Sequence, residues 1–249
     1  MDVRVLRADR EPEDTMTTLG LTMAGRRRRT HIARSNGLVR QVTLWSGILS
    51  SLLYAATDIF GGLRYEGYSF TSQAISELMA VGAPSEAFVD PLFILYGVLA
   101  VAFGAGVFRE GTGQRRLRVL GVLLTAYAIL GFTGPLFFEM SQRGTGGSGN
   151  DSAHIVLTAA LVLLLLLAVS IGANALGRRF RAYSWATLST VTVFGALSAP
   201  FGARLAAGQT TPGFGIIERI HVYAFLLWVA VFAIALLRRR DTAAQPLIP

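Results

Sequence analysis

Residues 154–176 read HIVLTAALVLLLLLAVSIGANAL, a run that carries no charged side chain besides its first histidine. A helix needs about 20 consecutive apolar residues to cross roughly 30 Å of hydrocarbon. Five further runs of this kind lie at 42–63, 91–108, 119–138, 185–207 and 216–237. The sequence therefore predicts an all-α, polytopic membrane protein with six transmembrane helices in one bundle.

The composition supports the membrane class. Of the 249 residues, 52% are hydrophobic and only 15% are charged, which is more apolar surface than one soluble core could bury. The formal charge of +8 comes from arginine alone, because lysine is absent. In a membrane chain such arginine clusters set topology, so nucleic-acid binding is a poor interpretation. The absence of cysteine excludes disulfides, thiolate metal sites and a cysteine nucleophile.

Arginine clusters alternate along the loops and predict the orientation. The arginine-rich segments are Arg26 to Arg29 with Arg34 and Arg40, then Arg109 to Arg118, then Arg178 to Arg181, and last Arg238 to Arg240. The opposite segments hold only Arg64, Arg143, Arg204 and Arg219. The positive-inside rule then places both termini in the cytoplasm. Polar residues 1–36 are expected to form a disordered, arginine-rich cytoplasmic arm before the transmembrane domain at 37–240, and 241–249 a cytoplasmic tail.

Ionisable side chains gather at the predicted outer ends of the spans. Such groups are costly in hydrocarbon and usually face a bundle interior or a wet cavity. Pro135 and Pro200 should break the third and fifth helices on the same side. These features predict a polar vestibule open to the outside. Its candidate residues are Asp58, Tyr54, Glu77, Glu139, His154, Glu218, Arg219 and His221.

The outer loop at 64–90 has apolar residues at helical spacing. Phe70, Ala74, Ile75 and Leu78 predict a short amphipathic helix that ends near Gly82. Its apolar face could cover the vestibule as a lid or rest on the membrane interface as an anchor. An ion pair between Glu77 and Arg219 would hold this loop on the sixth helix.

The same loop carries a family resemblance. Residues 63–84, LRYEGYSFTSQAISELMAVGAP, resemble the loop after the first helix in a bacterial six-helix membrane family catalogued as domain of unknown function 998. The run GIIER at 215–219, the later Trp228 and the position of His154 are also similar to that family. The resemblance implies an integral protein of the bacterial cytoplasmic (inner) membrane. It implies no reaction, because the family has no established activity.

An enzymatic interpretation uses the two outer histidines. His154 and His221 with Asp58 or Glu139 could bind a divalent metal such as zinc and leave one position for water. At the outer interface such a site would suit hydrolysis of a lipid headgroup. No ligand pair has a diagnostic spacing. A serine nucleophile, Ser72 or Ser76, is a weaker alternative without an elbow motif.

Two non-enzymatic interpretations remain, and the residues leave open whether the protein is an enzyme. A small-solute transporter would use Asp58 with Arg204 or Arg219, although the inner halves of the spans carry few polar groups. A binding or envelope role is favoured, with membrane lipids, a small-molecule or lipid ligand, or an envelope protein as partner. Small residues in the second span would allow helix packing within the bundle or a homo-oligomer; they are Gly97, Ala100, Gly104 and Gly106.

Overall fold

The structure, a computed structural model, describes the backbone of residues 13–145 and 149–243 and the side chains of 36–145 and 149–239. Within those residues every regular element is a helix. The α-helices are α1 (Glu13–Arg64), α2 (Glu86–Glu110), α3 (Arg115–Phe137), α4 (Gly149–Gly172), α5 (Arg178–Ser198), α6 (Gly202–Ala206) and α7 (Phe214–Ala243). Short 3-10 helices lie at Ile75–Met79 and Ala199–Phe201.

Six helices are long and apolar enough to cross a membrane, which confirms the predicted fold class. Their spans are Asn36–Arg64, Glu86–Glu110, Arg115–Phe137, Gly149–Gly172, Arg178–Ala206 and Phe214–Arg239. Each begins before the predicted residue, because polar residues in the first turns continue the helix although they lower the hydropathy. Pro91, where the second span is predicted to begin, therefore lies inside α2.

The beginning of the chain differs from the prediction. The helix that forms the first span starts at Glu13, whereas the sequence predicts a disordered arm over 1–36. Once a helix is nucleated, each added residue costs little, so polar residues can extend it. Residues 1–12 and 244–249 lie outside the described part of the chain. The described residues up to 41 and those from 42 onward form separate compact units, and the second contains the whole of the described hydrophobic core.

Aromatic side chains form the centre of the larger hydrophobic core. Trp228 and Phe232 of α7 are fully buried and stack with their ring centroids 5.2 Å apart. The indole N–H of Trp228 donates to the Ser184 hydroxyl of α5 at 2.9 Å, so the buried polar atom is satisfied. Large apolar side chains such as Val156 and Leu163 are instead exposed on the outside, as expected where lipid replaces water.

Glycines of α2 allow close contact with the neighbouring helices. A Cβ atom at Gly104 would lie 2.7 Å from the backbone nitrogen of Thr125 in α3, and one at Gly106 would lie 2.6 Å from the Thr43 hydroxyl in α1. These residues therefore serve packing within the bundle, where small side chains let helices approach closely.

The two prolines that are predicted to break helices, Pro135 and Pro200, have different effects. Pro135 lies within the last turn of α3. Pro200 ends α5 and begins a 3-10 turn that leads into α6. The Ala196 carbonyl, which loses its usual helical donor to Pro200, accepts the N–H of Ala199 instead. The predicted break in the fifth span is thus present, and its freed carbonyl is bonded within the chain.

Candidate functional site

Residues 65–85, here called the cap, join α1 to α2 and cover one end of the bundle. The cap contains a 3-10 helix at Ile75–Met79 where the sequence predicts a short amphipathic helix. Its apolar side chains Ile75 and Leu78 are buried and belong to a cluster with Val89 and Phe93 of α2 and Leu226 of α7. The apolar face therefore rests on the bundle, as in the lid interpretation, and is not available to anchor in the membrane interface.

A buried ion pair between α1 and α7 lies beneath the cap. Arg219 donates from Nε to Asp58 Oδ2 at 2.9 Å and from Nη2 to Asp58 Oδ1 at 2.7 Å. The Tyr223 hydroxyl also donates to Asp58 Oδ2. Asp58 is fully buried, so this forked, charge-assisted geometry compensates its desolvation. The predicted pairing of Arg219 with Glu77 is wrong, because Arg219 is committed to Asp58.

Arg219 also binds the cap itself. Its Nη1 donates to the backbone carbonyls of Phe70 at 2.9 Å and Gln73 at 3.0 Å. Its Nη2 donates to the Tyr68 hydroxyl at 2.7 Å, which donates in turn to the Ala74 carbonyl at 2.8 Å. Burial raises the pKa of Tyr68, which keeps the hydroxyl protonated and able to donate. One guanidinium thus joins α1, α7 and three points of the cap.

A second forked ion pair holds the other side of the cap. Arg143, in the loop between α3 and α4, donates from Nε to Glu77 Oε2 at 2.7 Å and from Nη2 to Glu77 Oε1 at 2.6 Å. Its Nη2 also donates to the Ser72 carbonyl and the Thr211 hydroxyl. The hydrogen bonds with Glu77 raise the pKa of Arg143. Glu77 accepts the Ala74 N–H as well, so both its oxygens have donors.

Glu218 makes a third connection between α7 and the cap. Its Oε2 accepts the backbone N–H of Ile75 at 2.7 Å, at the start of the 3-10 helix. That N–H has no partner within the short helix, so a carboxylate satisfies it as at any helix start. Glu218 and Arg219, neighbours in sequence, therefore both bind the cap.

The remaining predicted residues do not join this network. His154 lies at the start of α4 with Nδ1 2.8 Å from the Phe138 carbonyl, and His221 Nδ1 lies 3.2 Å from the Ile217 carbonyl of its own helix. Glu139 is exposed at the end of α3. Tyr54 is packed edge-on against Phe93 and Tyr96, with centroids 5.0 and 4.9 Å apart.

The proposed metal ligands are not brought together. Among the residues whose side chains the structure describes, no group of three His, Asp or Glu residues could hold a metal ion. Asp58 has both oxygens bonded to Arg219, and each histidine has a ring nitrogen at a backbone carbonyl.

The open vestibule predicted from the sequence is covered. Asp58 is fully buried and Glu77 is 4% exposed, so neither carboxylate lines a space open to solvent. Farther into the bundle, Tyr96 lines a cavity of about 20 Å³ together with Ser50, Ser51 and Tyr127. That volume holds about one water molecule.

Sequence reasoning missed three members of the network, namely Arg143, Tyr68 and Tyr223. Tyr223 follows Arg219 by four residues on one helix, so the shared face could have indicated it. Arg143 had a weaker signal, since it is one of few arginines between the arginine-rich clusters. No spacing in the sequence predicts that a loop arginine reaches a carboxylate in another loop.

Comparison with known proteins confirms the family resemblance. A family model described as protein of unknown function, DUF998, matches residues 48–235. No curated protein matches the chain. No solved structure matches it either. The matched range includes five of the spans in full or nearly so, the whole cap and every residue of the two ion pairs. The chain therefore belongs to the DUF998 family of proteins of unknown function.

Proposed function

We propose that this integral membrane protein is not an enzyme and that its capped end binds a small polar ligand outside the bacterial cytoplasmic membrane. The alternation of arginine clusters supports an orientation with both termini in the cytoplasm and the cap outside. The cap would then face the cell envelope, where lipid headgroups and small solutes are available as ligands.

The observation that carries this proposal is that the carboxylates of Asp58, beneath the cap, and Glu77, within it, are fully engaged. Asp58 accepts from Arg219 and Tyr223, and Glu77 accepts from Arg143, Gln73 and Ala74. A general base needs a free carboxylate within hydrogen-bond reach of its substrate. These two carboxylates instead serve as counter-ions that fix the cap, which favours a binding role over acid–base or metal-assisted hydrolysis.

The outer surface of the cap offers neutral hydrogen-bonding groups. The hydroxyls of Ser69 and Thr71 lie 3.0 Å apart, and those of Thr71 and Ser72 lie 3.4 Å apart; Thr71 is exposed and the two serines are half-buried. Hydroxyls both donate and accept, so a row of them suits an uncharged, hydroxylated group better than an ion. A lipid headgroup or small envelope solute with such groups is the proposed ligand.

Native mass spectrometry of the full chain released in mild detergent tests this function. We expect a stoichiometric organic adduct that is lost in the triple variant Ser69→Ala, Thr71→Ala, Ser72→Ala. Thr112→Ala, which removes an exposed hydroxyl between α2 and α3, should keep the adduct. A metal adduct that disappears in His154→Ala and His221→Ala would contradict the proposal and support a hydrolase. An adduct lost equally in Thr112→Ala would also contradict it.

A further inference from the structure

A second cavity lies at the opposite, arginine-rich end of the bundle. It has a volume of about 810 Å³ and is open to the surface between the α4–α5 turn and the C-terminal part of α7. Its walls include Arg178 and Arg179 from the start of α5 and Arg239 from α7. It is a shallow depression, wide open to the surface. We call it the arginine groove.

The three arginines of the groove have uncommitted guanidinium groups. All three side chains are exposed, and none forms an ion pair or side-chain hydrogen bond with another described side chain. No acidic residue within the described part of the chain lines the groove. This differs from Arg143 and Arg219, whose donors are all directed at carboxylates, hydroxyls and carbonyls of the protein. The described residues around the groove therefore leave its positive charge without a neutralising carboxylate.

The rest of the groove wall is apolar and well fixed. Leu176, Phe180 and Ala235 line it beside the arginines. The Phe180 ring packs against Trp228 and Phe232 of the hydrophobic core, with centroids 5.9 and 5.5 Å apart. Charged donors thus lie directly next to an apolar surface at the end of two membrane spans. A ligand that matches this surface has an anionic head and an apolar body.

We propose that the arginine groove binds the phosphate group of an anionic phospholipid. Guanidinium forks match phosphate oxygens in geometry and charge. Basic pockets between transmembrane helices bind anionic headgroups in the same way. The phosphate lies among Arg178, Arg179 and Arg239, and the acyl chains pass over Phe180 and Ala235 onto the lipid-facing surface. This site is distinct from the cap and goes beyond its proposed function.

Lipid titration followed by native mass spectrometry tests the groove with the full chain. The probes are phosphatidylglycerol, which is anionic, and phosphatidylcholine, which carries the same phosphate without net charge. We expect one phosphatidylglycerol to bind the wild type preferentially. The triple variant Arg178→Gln, Arg179→Gln, Arg239→Gln should weaken that binding by roughly tenfold to a hundredfold. If the triple variant does not fold, Arg239→Gln alone should weaken binding by about fivefold.

A matched control removes the same charge from the same end of the bundle. Arg109, Arg115 and Arg116 are exposed in the neighbouring arginine-rich segment and do not line the groove. Their triple glutamine variant should bind phosphatidylglycerol like the wild type. Equal losses in both triple variants, or equal affinity for the two lipids, would overturn the proposal. Displacement of the lipid by inorganic phosphate at equal concentration would overturn it in favour of a free-phosphate site.

Discussion

At the scale of single residues, Asp58 shows how a charged group is kept inside a helix bundle. Its carboxylate is fully buried, and hydrogen bonds from Nε and Nη2 of Arg219 and from the Tyr223 hydroxyl compensate the cost of removing its charge from water. Replacing one member of such a pair leaves the other charge buried and unpaired, which costs more than the pair itself contributes.

We therefore expect Asp58→Asn to lower the free energy of unfolding by about 3–5 kcal/mol. The asparagine amide keeps the size of the side chain but removes the negative charge that faces Arg219. Thermal unfolding in mild detergent measures the change. Glu66→Gln, which neutralises an exposed acid of the cap, is the control and should shift stability by less than about 0.5 kcal/mol. Equal effects of the two variants would show that Asp58 has no special structural role.

The Glu77–Arg143 pair allows a double-mutant cycle. Glu77→Gln and Arg143→Gln should each destabilise the protein, and the double variant should lose less than the sum because the second change removes a charge already left unpaired. We expect a coupling energy of about 1–3 kcal/mol from chemical unfolding of the four proteins. A cycle of Glu77→Gln with Arg204→Gln, which makes no bond to Glu77, should be additive. Additivity in both cycles would mean that the pair contributes nothing.

Residue patterns predicted the members of the network better than its pairings. Asp58, Glu218 and Arg219 are predicted because charge beside an apolar span is costly and needs a reason, and Glu77 because it lies on the predicted loop helix. The partner of each was not predictable, because helical spacing relates residues of one helix and says nothing of loops that meet through folding. His154 and His221 are predicted as ligands from their residue type and their position at the outer ends of the spans, and among the described residues no group of three His, Asp or Glu could hold a metal ion.

At the scale of elements, the cap is held to α7 by backbone carbonyls as well as by charge. Gly215 in the first turn of α7 lies directly below it. A Cβ atom there would lie 2.5 Å from the Phe70 carbonyl oxygen and 2.6 Å from that of Gln73. These are the same carbonyls that accept hydrogen bonds from Arg219. The close approach of the cap to α7 therefore requires glycine at this position.

We expect Gly215→Ala to displace the cap and to destabilise the protein by about 1–3 kcal/mol, because the clash is with backbone that cannot rotate away. Hydrogen exchange should report faster exchange of cap amides, above all that of Ile75, which donates to Glu218. Gly195→Ala in α5 is the control, since its Cβ would lie 3.6 Å from the nearest atom, an ordinary contact. Unchanged exchange in Gly215→Ala would mean that the cap is not held at this point.

Helices were more predictable than the cap. Hydropathy alone indicates all six spans, because the length needed to cross hydrocarbon and the lack of charge leave few alternatives. The spacing of Ala74, Ile75 and Leu78 correctly indicates a face that becomes buried, yet the element is a 3-10 helix of five residues. Short helices are decided by the tertiary contacts that satisfy their ends, here Glu218 and Glu77, and these contacts cannot be derived from spacing.

For the whole molecule, the two ends of the bundle use arginine in opposite ways. At the capped end arginines are few, and two of them, Arg143 and Arg219, are paired with carboxylates inside the protein. At the other end they are numerous and, in the groove, uncommitted. This asymmetry is what the positive-inside rule describes at the level of sequence, and under the proposed lipid site the arginine-rich end would bind anionic lipid as well as set the topology.

The orientation can be measured directly, because the chain has no cysteine and single cysteines give no background. Glu66→Cys places an exposed thiol on the cap, and Gln114→Cys places one in the turn between α2 and α3, beside the arginine-rich cluster. In intact cells a membrane-impermeant maleimide should label Glu66→Cys and should label Gln114→Cys only after permeabilisation. The reverse pattern would place the cap in the cytoplasm, and with it every ligand proposed for the cap surface would have to be a cytoplasmic one.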